Sequence, residues 1–231
     1  MAKKKNNRLT ITIIYDNEAW NHELQADWGF SCLVQAYGRK ILFDTGARSD
    51  ILFANMKKLH IDPGEIDEVF ISHGHWDHIG GLADFLKINP VKVFIPASLT
   101  DLKVATFIRI SEPLRIHDNI FSTGELVNEE QSLVIKGEED IVVIAGCSHP
   151  GVKQILHAAS QFGRVRTLIG GLHGFNDFDL IENLDRICPT HCTRYKSEIA
   201  SRYPEKYIPG GAGQVIEITD FCHHLPFWKE H

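Results

Sequence analysis

The ten residues SHGHWDHIGG, numbered 72–81, place three histidines and one aspartate within six positions. They directly follow EVFI (68–71), an apolar run that is typical of a buried strand. Packing does not explain such a cluster, because side chains of this type repel one another when they are charged. Histidine is also the commonest metal ligand in proteins. The stretch therefore predicts a metal site at the end of a strand.

The composition of the chain is that of an ordinary globular protein. It has 231 residues, of which 43% are hydrophobic and 23% are charged. No low-complexity linker divides it, so we expect one domain over residues 1–231. The net charge of −6 and the absence of a basic stripe argue against nucleic acid or an anionic membrane as a partner.

The cysteines and the chain start indicate the compartment. The five cysteines are odd in number and contain no CxxC pair, which favours a reduced, cytoplasmic protein. The basic start MAKKKNNR precedes an apolar run too short for a signal peptide, and no run approaches a membrane span. Thirteen histidines are the one compositional anomaly, and they favour a metal site. The sequence gives no indication of the oligomeric state.

Strands and helices alternate along the chain in two halves. The first half predicts strands in LTITIIYDN (9–17), FSCLVQAY (30–37) and KILFDT (40–45), then a helix in residues 47–61 and another that starts in GGLADFL (80–86). The second half predicts helices in GVKQILHAASQF (151–162), DLIENLDRI (179–187) and YKSEIASRY (195–203), with strands between and after them. Two sheets back to back, with helices outside, fit this order.

Several histidines fall just past the carboxyl ends of predicted strands, where open sheets place their ligands. These are His73, His75, His149, His173 and His191. Asp77 and His78 follow at the turn into a helix and approach the same place. This spacing serves either one metal or two neighbouring metals.

Four motifs in order resemble the metallo-β-lactamase superfamily. HGHWDH (73–78) matches its HxHxDH signature, and KILFDTG (40–46), GCSHPG (146–151) and PTHCT (189–193) resemble the segments that flank it. With YDN and GGLHGF, they are similar to the subgroup of 7,8-dihydropterin-6-methyl-4-(β-D-ribofuranosyl)aminobenzene-5'-phosphate synthase-like proteins. The resemblance implies a four-layer αββα sandwich of the α/β (α+β) class with a metal site at one edge.

The resemblance also implies a role for each motif residue. One metal would take His73, His75 and His149, and a second would take Asp77, His78 and His191. Asp77 would in addition be the catalytic residue that orients the attacking hydroxide, and Asp44 would hold the histidine loop in place. His173 stands where many members carry a bridging carboxylate, so we expect a weaker second site. A thiolate ligand from Cys147 or Cys192 stays open as an alternative.

The expected cofactor is Zn²⁺, one or two per chain, with Mn²⁺ or Fe²⁺ as alternatives. The expected activity is a metal-dependent hydrolase that uses a metal-activated hydroxide on a small phosphoester, lactone or thioester. The alternatives are a non-hydrolytic synthase or lyase on a pterin-related phosphorylated intermediate, and a non-catalytic metal-binding protein. Arg194, three residues after His191 at a predicted helix start, is the candidate contact for an anionic small-molecule substrate.

Overall fold

Two mixed sheets organise the residues that the computed structural model describes, which are 8–100, 102, 107–138 and 140–218. The described strands are β1 Leu9–Tyr15, β2 Ser31–Ala36, β3 Arg39–Phe43, β4 Glu68–Phe70, β5 Lys92–Pro96, β6 Phe107–Ile110, β7 Leu114–His117, β8 Ile120–Ser122, β9 Leu133–Lys136, β10 Asp140–Ala145, β11 Arg164–Gly171, β12 Arg186–Thr190 and β13 Val215–Ile218. The first sheet has the order β13-β1-β2-β3-β4-β5-β6, and the second has the order β12-β11-β10-β9-β8-β7.

Helices connect the strands on the outside of the sheets. The α-helices are α1 Ser49–Lys58, α2 Trp76–Ile79, α3 Leu82–Ile88, α4 Val152–Ala159 and α5 Lys196–Arg202, and 3₁₀ helices cover Pro63–Glu65, Ser160–Phe162 and Phe178–Asn183. In the described part of the chain, no helix has the length and apolar character needed to cross a membrane.

The buried apolar side chains form three clusters, and these define four layers. Phe43 and Ile144 belong to the cluster between the two sheets. Leu52 of α1 and Phe85 of α3 pack on the outer face of the first sheet. Ile155 of α4 packs on the outer face of the second sheet. The predicted αββα sandwich is therefore confirmed.

Parallel strands bring the polar segments to one edge. β3, β4 and β5 run parallel in the first sheet, and β10, β11 and β12 run parallel in the second. The carboxyl ends of neighbouring parallel strands lie at the same edge of a sheet. The segments that follow β3, β4, β10, β11 and β12 therefore converge, and these segments contain the predicted site residues.

The prediction of one helix over DLIENLDRI was wrong. The 3₁₀ helix Phe178–Asn183 occupies its first part, and Arg186 and Ile187 begin β12 instead. β12 pairs in parallel with β11 and becomes the edge strand of the second sheet. Ladder hydrogen bonds to β11 thus outweigh the helical spacing of the apolar residues.

The helix predicted to start in GGLADFL is α3, which begins after Gly80 and Gly81. The predicted turn before it forms a further short helix, α2, which contains Asp77 and His78. A Cβ on Gly80 would lie 2.0 Å from the carbonyl oxygen of Ala47, so only glycine lets the backbone at position 80 lie so close to the segment after β3.

Candidate metal centre

Asp44 anchors the histidine motif from the strand beside it. It follows β3 with a φ of 53°, a left-handed backbone conformation that residues other than glycine rarely adopt. Its Oδ1 accepts the backbone N–H of Ser72 at 2.7 Å, and its Oδ2 accepts the Ser72 hydroxyl at 2.7 Å. Asp44 Oδ2 also accepts Nδ1–H of His78 at 2.7 Å. This geometry supports the predicted positioning role of Asp44.

Glu130 positions the third-histidine segment in a similar way. This residue is fully buried, and its Oε1 accepts the backbone N–H groups of Gly146, Cys147 and Ser148 at 2.9–3.0 Å. Its Oε2 accepts both the backbone N–H and Nδ1–H of His149. Sequence reasoning missed Glu130, because a separation of 19 residues from His149 produces no local pattern.

The last histidine is positioned from the first strand. His191 adopts a left-handed φ of 46°, and its backbone N–H donates to Asp16 Oδ2 at 3.1 Å. Its Nδ1–H donates to Asn17 Oδ1 at 2.8 Å. Sequence reasoning missed both partners, which lie about 175 residues away in the YDN stretch. That stretch supported the family resemblance, but nothing in it pointed to a contact with His191.

The predicted ligands form two groups. In the first group the ring centroids of His73, His75 and His149 lie 4.6–4.7 Å apart. In the second group Asp77 Oδ2 lies 3.2 Å from Nε2 of His191 and 3.9 Å from Nε2 of His78. The rings of His73 and His78 are 4.1 Å apart, so the two groups adjoin.

A shared orientation makes four of the imidazoles suitable for a cation. His73, His78, His149 and His191 each place Nδ1 within 3.0 Å of an oxygen outside the cluster. Nε2 is then the nitrogen left for a ligand, as in metal sites where an outer acceptor sets the tautomer. His73 Nε2 is buried and has no hydrogen-bond partner among the described residues. An unpaired buried nitrogen is costly, and a bound cation would satisfy it, so these residues fit a metal.

The electrostatics of the cluster agree with this fit. Burial, followed by the neighbouring histidines, lowers the pKa of His73 well below its usual value, so the ring is neutral and has a free lone pair. Burial also lowers the pKa of His191. Although burial acts in the opposite direction, the neighbouring side chains of His191 and His78 hold the pKa of Asp77 below its usual value. Imidazole nitrogens beside an ionised carboxylate form a donor set for a divalent cation.

The centre of the cluster is a thiol rather than a carboxylate. Cys147 is buried, and its Sγ lies 3.2 Å from Nε2 of His78. His173, at the predicted bridging position, has an exposed side chain at the rim, with its ring 4.7 Å from that of His149. Potential ligand atoms of Cys147, His173 and Cys192 lie within 4.8 Å of one another.

Arg194 lies at the rim, directly before the start of α5. This helix begins at Lys196 with Tyr195 as its N-cap residue, one residue later than the predicted start. The backbone N–H of Arg194 donates to the carbonyl of His173, and its exposed guanidinium lies 5.3 Å from the centre of the Tyr195 ring. This bond links the chain after β12 to the segment that follows β11.

Replacing Asp44 by asparagine should weaken metal binding about 10- to 100-fold, the usual effect of losing an outer partner of ligating histidines. The amide removes the negative charge that His78 and Ser72 contact. The measurement is a chelator competition. Asp50→Asn, which alters an exposed ion pair with Arg48, is the control and should bind like the wild type. Equal affinity in both variants would contradict the role of Asp44.

Comparisons with known proteins agree with this architecture. The model of the metallo-beta-lactamase superfamily matches residues 29–159. The 7,8-dihydropterin-6-methyl-4-(beta-D-ribofuranosyl)-aminobenzene-5'-phosphate synthase of Methanocaldococcus jannaschii is 25% identical, with 93% of this chain and 98% of the relative covered. The structure of Tm1679, a metal-dependent hydrolase of the beta-lactamase superfamily, matches with a TM-score of 0.75 at 26% identity. This match covers 91% of this chain and 99% of the Tm1679 chain.

A third likeness extends to the fold alone. Zn²⁺-bound PqqB from Methylobacterium extorquens has a TM-score of 0.62 at 14% identity, with 90% of this chain and 100% of PqqB covered. The superfamily match spans more than half of the chain, and the two-sheet sandwich agrees with it. This chain belongs to the metallo-β-lactamase superfamily.

Proposed function

We propose that this protein is a metal-dependent hydrolase of a small anionic phosphoester, lactone or thioester. The observation that carries the proposal is the pair of adjoining ligand groups, His73–His75–His149 and Asp77–His78–His191, at one edge of the sandwich. Zn²⁺ is the cation we propose, and one or two per chain would fit these groups. A cation held there would lower the pKa of water from about 15.7 toward 7 and would polarise a carbonyl or phosphoryl oxygen.

Asp77 is the residue that we propose to orient the attacking water. Its carboxylate is held in place because Trp28 Nε1–H donates to Oδ2 at 2.9 Å. With a pKa below the usual range, Asp77 is ionised at neutral pH and accepts hydrogen bonds. An acceptor in this position favours an attack geometry rather than removing the proton by itself.

The open side of the site supports access by a small substrate. His75, His173 and Arg194 are exposed, whereas His73 and His78 are buried beneath them. A substrate would therefore reach the cations from the rim formed by the exposed side chains. The guanidinium of Arg194 would meet an anionic group of the substrate beside the metal rather than on it.

The test of the proposed function begins with metal content. The purified protein should contain Zn²⁺ by elemental analysis. It should hydrolyse at least one member of a panel of chromogenic phosphodiesters, esters and lactones. Chelation should abolish the activity, and added Zn²⁺ should restore it. Bound metal with no turnover of any panel member would favour the alternatives over hydrolysis.

A specific observation favours a second candidate, a synthase or lyase on a pterin-related phosphorylated intermediate. The archaeal relative that matches most of this chain is named as a synthase. The exposed Trp28 ring contacts His191 edge-on at 5.2 Å, and the exposed Trp76 follows His75. Such rings could stack on a flat heterocycle. Incubation with a dihydropterin that carries a leaving group on its 6-methyl carbon and with a phosphorylated aromatic amine, followed by product analysis, separates this candidate from hydrolysis.

Replacing Arg194 by alanine should raise KM for an anionic substrate about 10- to 150-fold, which corresponds to about 1.5–3 kcal/mol for a charged hydrogen bond. Metal content should not change, because Arg194 is not among the ligands. A neutral ester should be hydrolysed nearly as before.

Arg164→Ala is the matched control for this prediction. Arg164 is also exposed, but it begins β11, whereas the site lies past the end of that strand. KM should stay at the wild-type value in this control. If Arg194→Ala changes KM for charged and neutral substrates equally, or for neither, Arg194 does not contact the substrate anion.

A further inference from the structure

Cys147 is the residue shared by the two ligand groups. Its Sγ and one ligand atom each of His73 and His149 lie within 4.8 Å of one another. The same Sγ lies within 4.8 Å of ligand atoms of His78 and His191. A single sulfur therefore belongs to both clusters.

The position of Cys147 is held from the protein side. Its backbone N–H donates to Glu130 Oε1 at 3.0 Å, and the residue is only 3% exposed. The unpartnered Nε2 of His73, fully buried, belongs to the same cluster and independently indicates a ligand there. His173, the residue at the predicted bridging position, is exposed at the rim, and one of its ligand atoms lies within 4.8 Å of Cys147 Sγ.

We propose that the Cys147 thiolate bridges two cations, one held by His73, His75 and His149 and the other by Asp77, His78 and His191. The proposal rests on the metal-dependent function proposed above and deepens it by naming the bridging atom. Binding breaks the S–H bond, releases one proton to solvent and forms two metal–sulfur bonds. No electron is transferred, so the sulfur keeps its oxidation state and no oxidant is required.

Two consequences follow from a shared thiolate. With metal–sulfur distances of about 2.3 Å, a sulfur bridge keeps two Zn²⁺ ions at most about 4.6 Å apart, which suits a pair that acts on one substrate. A soft thiolate also favours Zn²⁺ over Mn²⁺. Under this proposal the second group gains a sulfur donor, so the two sites should differ less in affinity than the prediction based on His173 implies.

The decisive measurement is X-ray absorption at the zinc edge of the full chain with Cys192→Ser, which removes the neighbouring sulfur. With one equivalent of Zn²⁺ we expect about one sulfur per zinc at about 2.3 Å. With two equivalents of Zn²⁺, a bridging thiolate keeps the average at about one sulfur per zinc. A thiolate that binds only one of the two cations lowers this average to about one half. A value near one half, or no sulfur at either loading, would overturn the proposal.

Co²⁺ spectra supply a second readout that does not depend on turnover. The wild type and Cys192→Ser should show a thiolate-to-cobalt charge-transfer band, and Cys147→Ser should lose it. The affinity of Cys147→Ser for the second equivalent of metal should fall more than about 100-fold. This loss exceeds the effect of removing a hydrogen-bond partner of a metal ligand, which is about 10- to 100-fold. A band that persists in Cys147→Ser would contradict the bridge. If no variant binds metal, the proposed function itself fails, whereas metal bound without sulfur removes only the bridge.

Discussion

Replacing His75 by alanine is expected to lower metal affinity more than 100-fold and to abolish metal-dependent activity. The loss of an outer partner of a ligand already costs about 10- to 100-fold, so the loss of a ligand itself should cost more. The side chain of His75 is 54% exposed, so its removal leaves no buried cavity. The fold should therefore be retained while the first ligand group loses one of three imidazoles.

Equilibrium dialysis with Zn²⁺ and circular dichroism test this prediction together. The matched control is His157→Ala, which removes another exposed imidazole from the solvent side of α4. That variant should bind metal like the wild type. Full metal retention in His75→Ala would remove His75 from the ligand set, whatever happens to turnover.

Replacing Glu130 by glutamine is expected to lower the free energy of unfolding by about 3 kcal/mol. Glutamine keeps the volume, so the loss comes from charge and hydrogen bonding, and hydrogen bonds to charged groups contribute about 1.5–3 kcal/mol each. Glu130 accepts four backbone N–H groups and one imidazole N–H. The amide NH₂ cannot accept, so some of these donors stay buried and unsatisfied.

Denaturant unfolding in the presence of chelator separates this effect from metal binding. The matched control is Glu129→Gln, which makes the same chemical change one residue earlier on a side chain that is 40% exposed. A surface change of this kind should stay within about 0.5 kcal/mol. Equal stabilities of the two variants would contradict the anchoring role of Glu130.

The pH dependence of the Glu130 effect has a definite sign. Although burial opposes ionisation, the hydrogen bonds from His149 and Ser148 hold the pKa of Glu130 below its ordinary value of 4.5. A carboxylate with a lowered folded-state pKa contributes stability above the unfolded pKa and loses it as pH falls. The stability difference between wild type and Glu130→Gln should therefore be full at neutral pH and should shrink below about 4.5.

The sequence by itself determined the sandwich, the superfamily and the candidate ligands. Strand pattern and residue type are local properties, and they placed His73, His149 and His191 just past strands. The ordered motifs added the expectation that these strands share one edge. The structure then showed the predicted ligand side chains in two adjoining groups.

Tertiary structure alone decided which side chains position the candidate ligands and what lies between them. Glu130 reaches His149, 19 positions away, because β9 and β10 pair antiparallel and the start of β9 lies beside the end of β10. Asp16 and Asn17 contact His191 about 175 positions away, and only the packing of one sheet on the other brings these partners together. The same holds for Cys147, whose motif places it beside a ligand but does not show that its sulfur faces both groups. β12 formed where helical spacing predicted a helix, because the open edge of β11 offered a ladder of backbone hydrogen bonds. Contacts of this kind depend on strand order and register, and short-range periodicity contains no information about either.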